Sequence, residues 1–330
     1  MPAEIRHNWT ISEIKAIYQQ PLLELVFQAA TTHRRFHDPR KIQVCHLISV
    51  KTGGCPENCK YCSQSSRYQT PVDAQPLLTH EEVLNLAKEA ISKGATRICL
   101  GAAWREVRPS KQFDTILKMI QEIKDMGVEV CCTLGMLNET AAKKLEAAGT
   151  YAYNHNLDTS AEFYKQIVTT RSYEDRLNTL AEVEKTTMQV CCGGIIGMGE
   201  TEDDRLGLLH TLATRSKHPE SFPINILVPV KGTPFENMPK QKAWDAIRMV
   251  ATARLLMPQA MVRLSAGRLD LSMSDQALCF LAGANSIHSG EKLLTIAAPN
   301  PDFNIDDEMF AILGLEKLPA YQKDRAKTND

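Results

Sequence analysis

No charge of either sign dominates this chain: 38 basic and 39 acidic side chains in 330 residues leave a net charge of -1. Without a basic excess there is nothing to hold a phosphate backbone, so nucleic acid is excluded as an expected partner. Long apolar runs are also missing. No stretch approaches the roughly 18 consecutive apolar residues of a membrane span. The opening residues, MPAEIRHNWTISEIKAIYQQ, lack the apolar centre of a secretory signal. The expectation is a cytoplasmic protein of ordinary globular composition, 43% hydrophobic and 23% charged. Such a compartment keeps thiols reduced, which excludes disulfides as the reason for ten cysteines. These are Cys45, Cys55, Cys59, Cys62, Cys99, Cys131, Cys132, Cys191, Cys192 and Cys279. A free cysteine is usually a small buried hydrophobe, so the ligands must be separated from the packing.

What is present is a repeating unit. Thr79 and Glu82 form a capping box before Val83, Leu86, Ala87, Ala90 and Ile91, and Gly94 ends that helix. A β-like run, TRICLG, follows. The next helix closes at Gly127 before VEVCCTLG, and the next is capped by Asn138 and ended by Gly149 before YAYNHNLD. Helix, glycine and strand alternate as in βα units around a parallel sheet. Strands are predicted near 44–50, 96–101, 128–134, 151–157, 188–196, 224–230, 261–266 and 284–288. Eight units in this length predict an α/β fold of the (β/α)8 TIM-barrel type over 41–315, with a doubly wound open sheet as the competing reading. Residues 1–40 are expected as a helical extension that caps the barrel's bottom, and 316–330 as a loose polar tail.

Strand alternation sorts the thiols. Ile98 and Leu100 oppose Arg97 and Cys99; Val128, Val130 and Cys132 oppose Glu129 and Cys131. Val190 and Cys192 oppose Gln189 and Cys191, Val262 and Leu264 oppose Arg263, and Ile224 and Ile226 oppose Asn225. Asn154, Asn156 and Asp158 share a face, which puts His155 outside. The apolar faces must meet the helices. The interior is then polar and thiol-rich, which is costly unless it holds something. Cys132 and Cys192 read as core packing. Cys99, Cys131 and Cys191, as three inward thiols, favour a soft metal site.

After the first strand comes GGCPENCKYCSQ, with Cys55, Cys59 and Cys62 in a polar loop. Gly53, Gly54 and Pro56 argue against a buried helical stripe. Structural zinc closes four ligands, and no fourth stands nearby. A loop after a barrel strand sits at the C-terminal face, where barrel active sites lie. This CxxxCxxC pattern, with Tyr61 before its last cysteine, resembles the radical S-adenosylmethionine superfamily. The blocks GGCPENCKYCSQSSRY, GAAW, CTLG, YNHNLDT, GGIIGMGET, PINILVPVKGTP, VRLSAGR and AGANSI are similar to those of the biotin synthase family, in its order, over roughly residues 10 to 297.

The resemblance implies a sulfurtransferase that inserts sulfur into dethiobiotin. It implies a [4Fe–4S] cluster on Cys55, Cys59 and Cys62, whose open iron takes S-adenosylmethionine and yields a 5′-deoxyadenosyl radical. It also implies a sulfur-donating [2Fe–2S] cluster on Cys99, Cys131, Cys191 and Arg263. A guanidinium has no free lone pair, and from its chemistry alone Arg263 reads as an ion-pair partner of Glu129 or another carboxylate. Tyr61, Ala102, Asn156, Asp158, Arg176, Ile195 and Met198 are implied for S-adenosylmethionine, and Asn156 and Asn225 for the ureido ring. A flavodoxin- or ferredoxin-type electron donor and a homodimer are the family expectations. The rivals are a radical mutase or lyase without a second cluster, and a zinc-stabilised binding module.

Overall fold

The computed structural model describes residues 5–289, 292–293, 296–297 and 304–319. Its centre is a closed parallel barrel. The strands are β1 (Lys41–Lys51), β2 (Arg97–Ala102), β3 (Glu129–Thr133), β4 (Ala152–Asn154), β5 (Gln189–Cys191), β6 (Gly194–Ile196), β7 (Ser221–Ile226), β8 (Met261–Leu264) and β9 (Ser286–Ser289). β5 and β6 occupy one barrel position in succession, both against β7, and β9 returns to β1, which closes eight positions. Closure removes the open-sheet reading. β10 (Lys292–Leu293) and β11 (Ile296–Ala297) form a separate small antiparallel sheet, with β10 lying near β1.

The helices begin where the sequence offers caps. In chain order they are α1 (Ile11–Tyr18), α2 (Leu22–Phe36), α3 (His80–Ser92), α4 (Lys111–Asp125), α5 (Glu139–Ala148), α6 (Ala161–Ile167), α7 (Tyr173–Glu184), α8 (Glu202–Ala213), α9 (Ala243–Leu256), α10 (Met273–Leu281) and α11 (Asn304–Leu313). At α3 the Thr79 N–H donates to Glu82 Oε2 at 2.7 Å and the Glu82 N–H donates to Thr79 Oγ1 at 3.3 Å. Each such cap is worth about 1 kcal/mol, because it satisfies donors the helix leaves orphaned. Asn138 caps α5, and Gly149 ends it at φ 92°.

The sixth strand lies earlier than expected, at 221–226 rather than 224–230. Pro223 inside it reads as a breaker, because it has no N–H to give. Its neighbour explains the tolerance. The ladder is interrupted between β5 and β6, and a Cβ on Gly193 would sit 1.9 Å from the Pro223 carbonyl oxygen. Proline and glycine meet where neither needs a ladder bond.

Two expectations at the ends are corrected. α1 and α2 are helical, but they lie against α8 and α9 on the outside of the barrel and do not cap its bottom. Leu25, Val26 and Ala29 supply the buried stripe of α2. The segment read as a tail begins with β12 (Glu316–Lys317), which pairs in parallel with the start of β1. Backbone bonds from Glu316 N to Arg40 O and from Leu318 N to Ile42 O hold it there. The tail reading for 320–330 falls outside the described residues.

Two cores result. Ile98, Leu100, Val130, Cys132, Val190, Cys192, Val262 and Leu264 belong to the large apolar layer between strands and helices. Inside the barrel is a separate small cluster of Cys45, Leu47, Cys99, Cys131, Ala152 and Cys191. In β2, β3, β5 and β8 the alternation of faces read from the sequence is the one observed.

Candidate active site

A cavity of about 250 Å³ opens at the C-terminal face and reaches into the barrel. Cys55, Cys59, Tyr61 and Cys62 line its mouth, and Cys99, Cys131, Cys191 and Arg263 line its floor. Ala102, Asn156, Asp158, Arg176, Ile195 and Asn225 line the wall between them. The loop that follows β1 therefore shares one space with side chains from β2, β3, β5 and β8.

The mouth loop is anchored by its polar residues. Glu57, between the first two thiols, is buried and accepts from Arg105 Nη1 at 2.7 Å and from the Thr170 hydroxyl. Asn58 Nδ2 donates to Thr169 Oγ1 at 2.6 Å. These bonds tie the loop to the segment between α6 and α7. Burial pushes the thiols of Cys55, Cys59 and Cys62 above their ordinary value, and the Arg171 charge partly opposes this at Cys59. Metal binding would have to displace those protons.

On the floor, Cys99, Cys131 and Cys191 are each at most 3% exposed. The three thiols pack together in the interior cluster. Cys191 is pushed up first by the neighbouring Cys131 thiol and then by burial, while the Arg263 charge opposes both. Arg263 Nη1 lies 3.4 Å from Cys191 Sγ, its Nε donates to Ser286 Oγ at 2.8 Å, and its Nη2 donates to Gln43 Oε1 at 3.0 Å. The carboxylate partner expected for Arg263 from chemistry alone is not there. Glu129 is instead bound by Arg97 Nε at 2.7 Å, and Arg97 also reaches Glu220. That ion pair lies below the cavity floor. A guanidinium aimed at a thiol and held by neutral groups keeps its charge for whatever the thiols bind.

Sorting faces in β1 as well would have found one more thiol. Cys45 is fully buried in the interior cluster beside Cys99, yet it does not line the cavity. It bonds Gln43 Oε1 at 3.5 Å and Ser286 Oγ at 3.7 Å, one layer below the floor.

The wall is organised by Asp158, the one non-glycine residue with positive φ (68°) among those described. Such a conformation is uncommon and is concentrated at functional sites. Its Oδ2 accepts from Arg176 Nη2 at 2.5 Å and from Tyr61 Oη at 2.7 Å. Asn156 accepts from Gly193 N at 3.1 Å, and Asn225 Nδ2 donates to Gly194 O at 3.0 Å. Both amides are thereby fixed to the β5–β6 break. Met198 is the exception among the expected site residues. It does not line the cavity; its side chain packs in the cluster around Cys59, and its N–H donates to Glu200 at 2.7 Å. His155, read as outward, lines the cavity and is buried, with Nε2 making no hydrogen bond among the described residues. β4 ends at Asn154, so alternation no longer governs the next residue.

The donor set fits two polynuclear iron–sulfur groups. No three thiols, imidazoles or carboxylates among the described residues converge on a single ion position. Clusters do not require that, because their protein ligands are shared out over two or four irons. Thiolates are the usual ligands of such clusters.

The chain matches the Radical SAM superfamily over residues 49–212 and the Biotin and Thiamin Synthesis associated domain over 223–316. It is 58% identical to the biotin synthase of Nostoc sp. (strain PCC 7120 / SAG 25.82 / UTEX 2576), covering 97% of this chain and 96% of the relative. It is 55% identical to the mitochondrial biotin synthase of Arabidopsis thaliana, over 98% and 86%. Among solved structures, methylornithine synthase superposes with a TM-score of 0.80 at 19% identity, over 96% of this chain and 95% of that one, which speaks for the fold alone. The motif at the mouth, the thiols on the barrel floor and this similarity along nearly the whole chain make it a member of the biotin synthase family within the radical S-adenosylmethionine superfamily.

Proposed function

We propose that this chain inserts sulfur into dethiobiotin to form biotin, with Cys55, Cys59 and Cys62 holding a [4Fe–4S] cluster and Cys99, Cys131, Cys191 and Arg263 holding a [2Fe–2S] cluster. The observation that carries the reading is the single cavity with three thiols at its mouth and three more on its floor. When bound, the first group with S-adenosylmethionine supplies one-electron chemistry and the second supplies sulfur. The chain's own residues do the rest.

Tyr61, Ala102, Asp158, Arg176, Asn156 and Ile195 bind S-adenosylmethionine. Arg176 is kept charged and oriented by Asp158 and by the Tyr164 hydroxyl at 3.0 Å, which prepares it for a carboxylate. Asn156 and Asn225 meet the ureido ring, since each amide offers both a donor and an acceptor to a group that needs both. Their bonds to Gly193 and Gly194 fix their orientation beforehand. The buried floor excludes water from a reaction that water or oxygen would quench. Met198 packs in the wall behind Cys59.

A small electron-transfer protein of flavodoxin or ferredoxin type and a second copy of the chain are the expected partners, on family resemblance. All ten cysteines are free, which suits a reducing cytoplasm. No helix among the described residues is long and apolar enough to cross a membrane. The barrel unit of this reading spans 41–315, and β12 adds to it by pairing with β1.

The test is isotopic. Clusters rebuilt with labelled sulfide should put label into biotin in a single turnover, in proportion to [2Fe–2S] occupancy. Product sulfur drawn from free cysteine, free sulfide or S-adenosylmethionine would contradict the reading.

A further inference from the structure

Two arginines stand near the mouth thiols, and they are not equivalent. Arg176 is hydrogen-bonded to a carboxylate, Asp158, and to the Tyr164 hydroxyl. Arg171, at the end of the segment that anchors the mouth loop, is not. Its Nη2 lies 3.6 Å from Cys59 Sγ. Its side chain is 8% exposed, and its Nε is buried without a hydrogen bond among the described residues. Glu57 Oε2 stands 4.0 Å from that Nε, but Glu57 already accepts from Arg105 and from the Thr170 hydroxyl. The Arg171 charge is therefore incompletely neutralised, poorly hydrated and directed at one thiol.

From this geometry we propose that Arg171 is a positioning residue that sets the reduction potential of the cluster at the mouth, by donating to Cys59 Sγ and placing a buried positive charge beside it. The inference rests on the reading of Cys55, Cys59 and Cys62 as cluster ligands. The physical argument is one of differential stabilisation. The reduced cluster carries one more negative charge than the oxidised cluster. A donor to a ligand sulfur and a nearby cation favour the more negative state, so they raise the potential. The effect is strong where water is excluded, because the effective dielectric is low. Glu57 opposes it, being an anion in the same loop. Two residues on one loop contact thus push the potential in opposite directions.

The alternative for Arg171 is recognition of a substrate carboxylate from the cavity wall, and the two roles separate when substrate is absent. The full chain is reconstituted anaerobically as wild type, Arg171→Met, Arg171→Lys, Glu57→Gln and Cys59→Ala. Midpoint potentials are then read by redox titration of the low-temperature EPR signal of the reduced [4Fe–4S] cluster, without S-adenosylmethionine. Arg171→Met should shift the midpoint to more negative values, Arg171→Lys should recover part of the shift, and Glu57→Gln should move it the other way. If Arg171→Met does not retain the cluster, Arg171→Gln carries the same comparison. A neutral variant with a full cluster and the wild-type midpoint overturns the inference, including the case where only S-adenosylmethionine affinity falls. Failure of the underlying ligand reading looks different: wild type would lack the four-iron signal, or Cys59→Ala would keep it.

Discussion

Removing the charge of Arg97 should destabilise the barrel in a pH-dependent way. Arg97 is fully buried beneath the cavity floor, bonded to Glu129 at 2.7 Å and to Glu220 at 2.8 and 3.1 Å. Arg97→Met keeps the length of the chain and leaves both carboxylates without their cation. Breaking a buried pair in this way costs about 3–5 kcal/mol. Glu129 is 4% exposed and has no water to turn to, whereas Glu220 at 18% recovers part of its hydration, so the low end, about 3 kcal/mol, is expected. At roughly 2–4 °C per kcal/mol in a large domain, the apparent melting temperature should fall by on the order of 10 °C at pH 8. In the wild type, burial raises the Glu220 pKa but the Arg97 charge and hydrogen bond override it, holding the group below its ordinary value. That stabilisation is fully present above the unfolded carboxylate range and is lost only as pH falls through the lower folded value. Wild-type stability should thus be flat in this respect between about pH 5.5 and 8. In the variant the sign reverses. A buried carboxyl without its cation takes up a proton in the folded state, and stability falls as pH rises, by at most about 1.4 kcal/mol per pH unit for each such proton. Melting followed by circular dichroism at pH 5.5 and pH 8 checks both. A variant that melts within about 2 °C of wild type at pH 8 and shows no slope would refute the reasoning.

Cys131→Ala should lose the visible absorption of the deep cluster, while Cys132→Ala, in the apolar layer, should keep it at a cost of about 1 kcal/mol in stability, read by melting. Cys45→Ser should retain the deep cluster, because Cys45 stands below the cavity and already bonds polar groups that a hydroxyl can satisfy. Asp158→Asn should weaken S-adenosylmethionine binding while tolerating the positive φ, and Asp158→Ala should cost about a further 1–2 kcal/mol, because alanine resists that conformation. Anaerobic cluster assembly should speed up as pH rises from 7 to 9, because burial holds Cys55, Cys59 and Cys62 protonated and thiolates are the ligands; a rate independent of pH would count against thiol deprotonation as a barrier.

Much of this architecture was legible in the sequence for a simple reason. Helix caps and strand alternation are local, and Thr79, Asn138 and the two Cys-Cys pairs carry their signal within a few residues. The inward set followed because a parallel strand packed on helices must hide its apolar face. What escaped depends on distant partners. Nothing local tells α1 and α2 to lie on α8 and α9, or Glu316 and Lys317 to extend β1, since that pairing uses backbone groups alone. The place of β7 was hidden because the proline in it is excused by a break in another strand. His155 was misplaced because β4 stops one residue before it. Arg263 could not be matched to its neighbours from chemistry, since Arg97 takes the carboxylates it was expected to meet.

The central claim is that one barrel holds two distinct iron–sulfur groups, on mouth thiols and on floor thiols. Mössbauer spectroscopy of 57Fe-reconstituted wild type, Cys59→Ala and Cys191→Ala tests it most directly. Wild type should show both [4Fe–4S] and [2Fe–2S] components, Cys59→Ala should lose only the first, and Cys191→Ala should lose only the second. Loss of both components in either variant, or of neither, would contradict the separation of the two sites.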